Sequence, residues 1–274
     1  MQLVTTVALL RRQLTGRRDV TLVATMGNLH DGHLSLVRIA RERAGPVVAS
    51  IFVNRLQFAP QEDFASYPRT LERDLERLAE CGCDIVFAPT DEEMYPEQQG
   101  FSVQPAAALA DTLEGAIRPD FFAGVCTVVL KLCNIVQPEA AVFGKKDYQQ
   151  LLVIRSMFRQ LALPVELIPA ATVREPAGLA LSSRNGYLGA AERAEAPRLY
   201  ALLGEVAAAV RAGRSDWAAL EAAAMQSLRE RGWQPDYVAI RRQADLGPPA
   251  PAAPLVVLAG ARLGGTRLID NLEI

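Results

Sequence analysis

Short apolar segments alternate with helical patterns between residues 20 and 168, and this alternation restricts the fold more than any other feature of the sequence. Strands that alternate with helices form βαβ units, in which the strands run parallel and helices cover both faces of the sheet. The sequence therefore predicts an α/β fold with a mainly parallel sheet. Leucines at 71, 75 and 78 and the run Leu151–Phe158 mark two of the helices. The predicted strands are Val20–Val23, Val47–Phe52, Ile85–Phe87, Ala141–Phe143 and Val165–Ile168.

The pattern changes after about residue 175. A segment with four prolines, 247–254, excludes regular structure and is predicted to be an exposed loop. We expect two domains, 1–175 and 176–274, of which the second is a smaller α+β domain. Two alanine-rich helical stretches precede three strand-like runs in it, and the five segments are 190–212, 216–231, 237–240, 255–258 and 266–269.

The overall composition narrows the class of protein. Half of the 274 residues are apolar, which is enough for well-buried cores and excludes a disordered chain. The net charge of −2 is spread without a basic stripe, so the sequence does not predict nucleic-acid binding. No apolar stretch has the length of a membrane span, the N-terminus lacks the pattern of a secretory signal, and the four cysteines fit neither a zinc spacing nor a disulfide framework. We therefore expect a cytoplasmic protein that binds small molecules, with Cys126 and Cys133 buried on one helix face.

Both histidines of the chain, His30 and His33, lie in the short segment Thr25–Leu34. This segment joins the first predicted strand to a helix. In a parallel sheet such a helix N-terminus offers free N–H groups and the positive end of the helix dipole to a phosphate. Imidazoles add hydrogen-bond donors that can carry charge near neutral pH. The alternative is that the histidines are solvated helix caps. Gly27 and Gly32 favour a ligand site, because glycine lets the backbone approach a ligand closely.

Two further polar segments follow predicted strands. Asn54 and Gln57 follow the second strand, and their amides can hold a hydroxyl or a carboxylate; the alternative is a turn that caps its own backbone. Gly144–Asp147 follows the fourth strand, and its lysines and aspartate suit phosphates and ribose hydroxyls. Its spacing is not that of a P-loop, and a solvated helix cap explains the segment equally well.

A third polar segment, Leu181–Asn185, stands before the second predicted domain. Ser182, Ser183 and Arg184 on a mobile interdomain loop could close over a polyphosphate, although a plain N-cap is the alternative. The sequence contains no recognisable nucleophile triad or zinc-binding motif. Taken together, the residues predict nucleotide chemistry without a covalent enzyme intermediate.

These segments resemble the pantothenate synthetase family, and the likeness covers essentially the whole chain. Several long matches in one order are more specific than any single motif. The matching segments are Thr25–His33, Phe52–Asn54, Gln57–Phe58, Tyr67–Thr70, Gly144 with Lys146–Gln150, Leu179–Asn185 and Arg267–Asn271.

The resemblance implies an ATP-dependent ligase that joins pantoate to β-alanine. Pantoate would attack the α-phosphate of ATP and release pyrophosphate, and β-alanine would then attack pantoyl adenylate and release AMP. The resemblance further implies a Rossmann-like nucleotidyltransferase domain, in which His30–His33 is the HIGH-type signature, a small C-terminal domain, a homodimer, and Mg²⁺ bound mainly through phosphates and water. The alternatives are a related adenylate-forming ligase for another hydroxy acid or amine, or a nucleotide-binding protein without turnover.

The resemblance also implies roles for individual residues. The implied catalytic residues are His30, His33, Lys146 and Arg184, and His33 is the one that the family treats as a proton donor. Gln57, Gln150 and Asn54 would bind pantoate or β-alanine, and the identity of any metal ligands stays open. ATP would be bound by Met26, Gly27, Asn28, Leu29, His30, Asp31, Gly32, His33, Gly144, Lys145, Lys146, Asp147, Val173, Leu181, Ser182, Ser183 and Arg184.

The chain departs from the usual family pattern at four positions. Ala24, Arg55 and Lys145 stand where many members carry proline, proline and glutamate. Phe121 stands where many members carry a histidine near the substrate site, which removes a hydrogen-bond donor. His30 and His33 are therefore the only imidazoles that this chain can use.

Overall fold

The structure is a computed structural model that describes residues 1–59, 64–65 and 67–274. Within it the chain forms two compact units. The first unit comprises Met1–Ala106, Arg118–Lys145 and Val153–Ala171, and the second comprises Ala107–Ile117, Lys146–Leu152 and Thr172–Ile274. The second unit thus includes residues 107–117, 146–152 and 172–175 from the first 175 residues, and the division into domains 1–175 and 176–274 stays a prediction.

The first unit contains a parallel sheet of six strands in the order β1-β4-β3-β2-β5-β6. All five predicted strands are confirmed, and the predicted α/β class is confirmed with them. The first strand has no counterpart in the prediction; it has three residues, of which only Val4 is buried. The strands are β1 (Gln2–Val4), β2 (Thr21–Thr25), β3 (Val47–Ile51), β4 (Ile85–Phe87), β5 (Ala140–Gly144) and β6 (Glu166–Ala170).

The order in which successive strands are added to the sheet reverses between β2 and β5, although the two strands are parallel. From β2 the sheet grows through β3 and β4 on one side and through β5 and β6 on the other. In open parallel sheets such a reversal leaves a crevice at the carboxyl ends of the two central strands, where ligands bind. The central strands are buried on both faces, which explains why they have continuous rather than alternating apolar sequences.

Helices flank these strands, and α7 is buried along most of its length. Burial raises the pKa of the Cys126 and Cys133 thiols, both on α7, to about 12 in each case. Both cysteines are free and buried, as predicted. The helices of the described residues are α1 (Val7–Gln13), α2 (Asp31–Arg41), α3 (Leu71–Glu80), α4 (Asp91–Met94), α5 (Ala107–Ala110), α6 (Glu114–Ile117), α7 (Phe121–Val136), α8 (Tyr148–Gln160), α9 (Ala190–Glu195), α10 (Arg198–Arg211) and α11 (Trp217–Glu230).

The second unit is built on a three-stranded antiparallel sheet, β7 (Gln234–Arg242), β8 (Leu255–Leu263) and β9 (Thr266–Glu273), in that order. Its core packs Leu203 of α10 and Leu228 of α11 with residues of the sheet. The predicted α+β character is therefore confirmed. The first alanine-rich stretch contains two helices instead of one, because Pro197 cannot donate the backbone hydrogen bond that would join them.

The loop between β7 and β8 contains the proline-rich segment 247–254, which has neither helix nor strand, as predicted. Among the residues that the structure describes, no helix combines the length and the apolar character needed to cross a bilayer.

Candidate active site

Three of the predicted site segments follow neighbouring strands of the parallel sheet. The loop Met26–His33 follows β2, Asn54 and Gln57 follow β3, and Gly144 ends β5 and is followed by Lys145. Because β3, β2 and β5 are adjacent and parallel, their carboxyl ends share one edge of the sheet. The prediction that these strand ends come together is confirmed for the first unit.

The two histidines cap helix α2 together. His30 is the N-cap residue, and its Nδ1 accepts the N–H of Gly32 at 3.1 Å. The Nδ1 of His33 accepts the N–H of His30 at 3.3 Å, which completes a reciprocal capping box. The two rings lie 4.0 Å apart between centroids, tilted by 30°. The two histidines therefore cap the helix, as the alternative interpretation holds, and their rings also lie next to each other.

These capping bonds determine which nitrogen of each neutral imidazole ring carries the proton. Because each Nδ1 accepts a hydrogen bond, a neutral ring carries its proton on Nε2 and can donate only from that atom. A protonated imidazole has no acceptor, so these capping bonds exist only while the rings are neutral. The prediction that this helix N-terminus offers free N–H groups is wrong for His30 and Gly32, whose N–H groups are used by the imidazoles.

A buried amide orients Gln57 at the end of β3. Asn54 is 1% exposed, and its Nδ2 donates to Gln57 Oε1 at 3.1 Å and to the carbonyl of Gly124 at 3.2 Å. Its Oδ1 accepts the hydroxyl of Tyr95 at 2.7 Å and the N–H of Leu56 at 3.3 Å. Both hydrogens and both lone pairs of this amide are therefore engaged with protein groups.

The hydroxyl of Tyr95 serves as a donor in this arrangement. Burial, with a contribution from the charge of Asp91, raises the pKa of Tyr95 above its ordinary value. The Gln57 amide nitrogen in turn donates to the sulfur of Met26 at 3.1 Å. Gln57 is therefore linked to the loop that follows β2 as well as to its own turn.

Gly124 allows helix α7 to pack against the turn that carries Gln57. A Cβ atom at this position would lie 2.1 Å from the carbonyl oxygen of Leu56, a backbone atom that cannot rotate away. We expect Gly124→Ala to lower the free energy of unfolding by about 1 to 3 kcal/mol, the usual cost of overpacking. Gly204→Ala is the matched control, because this helical glycine has open space around it. It should instead stabilise the protein by up to about 1 kcal/mol.

Chemical denaturation of both glycine variants measures these changes. Equal effects at the two positions would contradict the packing role of Gly124. We further expect only Gly124→Ala to displace Gln57, since Leu56 and Gln57 belong to the same short turn.

Two of the departures from the family pattern have a structural explanation. Arg55 forms an ion pair with Asp91 at 2.6 Å and lies over the ring of Tyr95, 5.2 Å from its centroid. The ring of Phe121 lies against the guanidinium of Arg118, with the Cζ atom 3.7 Å from the ring centroid. Nothing in the structure explains the change to Ala24.

The remaining predicted residues lie in the second unit, beginning with Lys146. Lys145–Asp147 form a short 3-10 helix that leads directly into α8, which begins at Tyr148 and carries Gln150. The carbonyl of Lys146 accepts a hydrogen bond from Asn271 Nδ2 at 2.9 Å. The Nζ atom of Lys146 lies 3.8 Å from Asp147 Oδ1. The Asp147 side chain is 48% exposed.

The segment Leu181–Asn185 is more regular than the predicted mobile loop. Residues 183–187 form a 3-10 helix, and the Ser182 hydroxyl accepts the N–H of Arg184 at 3.3 Å as its N-cap. The carbonyl of Val173 accepts the N–H of Leu181 at 3.0 Å. The N-cap alternative is therefore confirmed for Ser182.

An ion pair between Arg174 and Asp270 connects the segment from Val173 to Leu181 with strand β9. Arg174 donates two hydrogen bonds to Asp270, at 2.6 and 2.8 Å, and one to the carbonyl of Gly178. The guanidinium also lies over the ring of Tyr200, 3.5 Å from its centroid. The closing segment of the chain thus supports two parts of the predicted site through Asp270 and Asn271.

A family model described as pantoate-beta-alanine ligase matches residues 2–273. The chain belongs to the pantoate-β-alanine ligase family. It is also 60% identical, over 285 residues and with all of both sequences covered, to a pantothenate synthetase of Leptothrix cholodnii. The family suggested by the sequence motifs is therefore confirmed.

Solved structures of this ligase family have the same fold. The pantothenate synthetase of Thermus thermophilus is 48% identical, with a TM-score of 0.95 over 100% of this chain and 99% of that one. The pantoate-β-alanine ligase of Francisella tularensis is 29% identical, with a TM-score of 0.85 over 100% and 97%. The latter structure is described as a complex with Beta-gamma ATP and Beta-alanine.

Three residues that contact the predicted site segments were not predicted from the sequence: Asp74 and Arg77, which bond the loop after β2, and Tyr95, which bonds Asn54. Asp74 had a detectable signal, because it lies on the apolar stripe of α3 between Leu71 and Leu78. A carboxylate on the buried face of a helix requires polar partners. Tyr95 gives no comparable signal, since its partner Asn54 is 41 residues away in the sequence.

Proposed function

We propose that this ligase joins pantoate to β-alanine by way of pantoyl adenylate. The observation that carries the proposal is the position of the histidine loop and of Gly144–Lys145. They follow β2 and β5, the two strands between which the order of the sheet reverses. That edge of a parallel sheet is where nucleotides bind. The whole-chain family match and the Francisella tularensis complex support ATP and β-alanine as the ligands.

The first step needs charge stabilisation more than proton transfer. The pantoate carboxylate attacks the α-phosphorus, the bond from that phosphorus to the bridging oxygen breaks, and pyrophosphate leaves with the electron pair. A carboxylate is already deprotonated, so no base is required. Donors aimed at the phosphoryl oxygens stabilise the charge that develops there. His30 and His33 supply Nε2–H donors, and Lys146 and Arg184 supply positive charge with help from Ser182 and Ser183.

The second step transfers the pantoyl group to nitrogen. The neutral amine of β-alanine attacks the carbonyl carbon, a carbon–nitrogen bond forms, the carbon–oxygen bond to AMP breaks, and the amine proton passes to solvent. Gln57 and Gln150 hold pantoate in this proposal. We assign Asn54 to the orientation of Gln57 and not to substrate contact, because its amide already has four protein partners.

The remaining proposed ATP contacts come from both compact units. Met26–His33, Gly144 and Lys145 belong to the first unit, whereas Asp147, Val173 and Leu181 belong to the second. Within the loop, the N–H groups of Asn28 and Leu29 donate to the carboxylate of Asp74. We therefore propose that this part of the loop sets the backbone conformation and does not bind phosphate.

We propose Mg²⁺ as part of the ATP substrate. Within the described ranges, no cluster of three or more histidine, cysteine, aspartate or glutamate side chains could hold a metal ion. Magnesium is usually bound through substrate phosphates, water and one or two carboxylates, so we assign the ion to the phosphate groups of ATP. On the family resemblance we also propose a homodimer and a cytoplasmic location, and sedimentation analysis tests the first of these.

Product analysis tests the function. With MgATP, pantoate and β-alanine, we expect pantothenate, AMP and pyrophosphate in equal amounts. Omission of β-alanine should still give pantoate-dependent exchange of labelled pyrophosphate into ATP. If pyrophosphate is released only with another hydroxy acid, the substrate assignment is wrong. If no hydroxy acid supports exchange, the chain binds nucleotides without turnover and the proposal fails.

A further inference from the structure

The loop that leads into His30 is held from helix α3 by a buried carboxylate. Asp74 is 1% exposed. Its Oδ2 accepts the N–H of Asn28 and its Oδ1 accepts the N–H of Leu29, each at 2.8 Å. The hydroxyl of Thr70, at the start of the same helix, donates to Oδ2 at 3.1 Å. Three donors thus compensate the burial of this charge.

The backbone of the loop adopts a shape that needs such support. Gly27 and Asn28 are successive left-handed residues, with φ of 80° and 49°. For a residue with a side chain this conformation is unfavourable, and asparagine tolerates it better than most. The turn directs the N–H groups of Asn28 and Leu29 to one point, and concave arrangements of this kind bind anions. Here the anion is the carboxylate of Asp74.

The next turn of α3 holds the following part of the loop. Arg77 donates to the carbonyl of Leu29 at 2.6 Å, and its other terminal nitrogen pairs with Asp31 at 2.5 Å. Asp31 is the first residue of α2, directly after the capping residue His30. Helix α3 therefore contacts the loop on both sides of the point where the histidine pair begins.

We infer that Asp74 and Arg77 are positioning residues for the adenylation step. They fix the loop backbone so that the capping box sets the positions of His30 and His33. The inference rests on the proposed function, because it gives the histidines their task. Misplacement of a reacting group by about 1 Å can cost about 100-fold in rate. Loss of these contacts should therefore lower the rate more than it weakens substrate binding.

Asp74→Asn tests this role with little change of size. The amide can accept one of the two backbone N–H groups, but its own NH₂ group then faces the other. For pantoate-dependent pyrophosphate release we expect kcat to fall about 10-fold or more, with the KM for pantoate changed less than about 2-fold. Hydrogen exchange of the Asn28 and Leu29 amides should become faster. Glu76→Gln, an exposed residue of the same helix, is the charge-matched control and should match the wild type in both measurements.

Two further variants test the same role if Asp74→Asn folds poorly. Thr70→Val removes one donor to Asp74 at nearly constant volume, and Arg77→Met removes the contacts to Leu29 and Asp31. We expect both to lower kcat in the same direction. A double-mutant cycle adds a second criterion: Asp74→Asn should cost much less in a His33→Ala background, since residues that act as a unit are not additive.

Unchanged kcat and unchanged amide exchange in Asp74→Asn would overturn the inference. A loss of activity that only follows the unfolded fraction, or full additivity with His33→Ala, would overturn it as well. Failure of the proposed function has a different signature: the wild type itself would show no pantoate-dependent exchange, whereas the amide-exchange comparison would still report on the loop.

Discussion

Replacing His33 by alanine is expected to lower the rate of pantoyl-adenylate formation by about 100-fold or more. The change removes the Nε2–H donor from the first turn of α2, where the charge of the α-phosphoryl group develops in the proposed reaction. Because this donor acts on the transition state, kcat should fall more than the affinity for ATP. Single-turnover formation of pyrophosphate with saturating MgATP and pantoate measures the effect.

The same substitution also removes a helix cap, so stability requires a control. His33 Nδ1 accepts the N–H of His30, and loss of a capping contact costs about 0.5 to 2 kcal/mol. His33→Gln retains an acceptor at a position where glutamine completes capping boxes. We expect its free energy of unfolding to stay near that of the wild type while its rate remains at least about 10-fold low. Near-normal turnover of His33→Ala would mean that this histidine is only a helix cap.

Replacing Lys146 by methionine should cause a loss of similar size, on the order of 100-fold in kcat/KM for ATP. The ammonium group is proposed to neutralise phosphate charge as pyrophosphate leaves. Asn271 holds the carbonyl of Lys146, so the backbone does not depend on the lysine side chain. The variant should therefore keep its fold, and steady-state pyrophosphate release at varied ATP measures the loss.

Charge-matched variants separate local from general electrostatics at Lys146. Arg155→Met removes a positive charge from an exposed position on the following helix, α8, and should leave kcat/KM within about 2-fold of the wild type. Lys146→Arg keeps the charge but not the geometry of the ammonium group, and we expect it to recover only part of the activity. Equal losses in Lys146→Met and Arg155→Met would contradict a specific role for Lys146.

The parallel sheet, and the edge of it that carries the polar site residues, could be predicted because each strand and each helix is encoded in a short stretch of sequence. Each of the five predicted strands is a short, mainly apolar segment, and helical patterns lie between most of them. Parallel strands place their carboxyl ends together whatever the order of the strands, so the convergence of His30, Gln57 and Lys145 could be expected without knowing that order. The order itself depends on packing between distant segments, and periodicity does not contain it.

Hydrogen bonds between segments that are distant in the sequence could not be predicted. Asn28 and Leu29 are predicted ATP-binding residues, and their N–H groups bond the carboxylate of Asp74, which lies 46 and 45 residues further along the chain. Asn54 is a predicted substrate-binding residue, and two of the four partners of its amide, Tyr95 and Gly124, lie 41 and 70 residues away. An isolated polar motif does not reveal whether its hydrogen bonds are already used within the protein.

Labelled pantoate tests the central claim, that this ligase activates a carboxylate as an adenylate, most directly. Pantoate that carries ¹⁸O in its carboxylate should transfer one labelled oxygen to AMP when β-alanine displaces the nucleotide. This follows because the carboxylate oxygen bonds to the α-phosphorus and stays with it when the carbon–oxygen bond breaks. Mass spectrometry of the AMP gives the answer. Label in inorganic phosphate or pyrophosphate, or unlabelled AMP alongside pantothenate, would contradict the account.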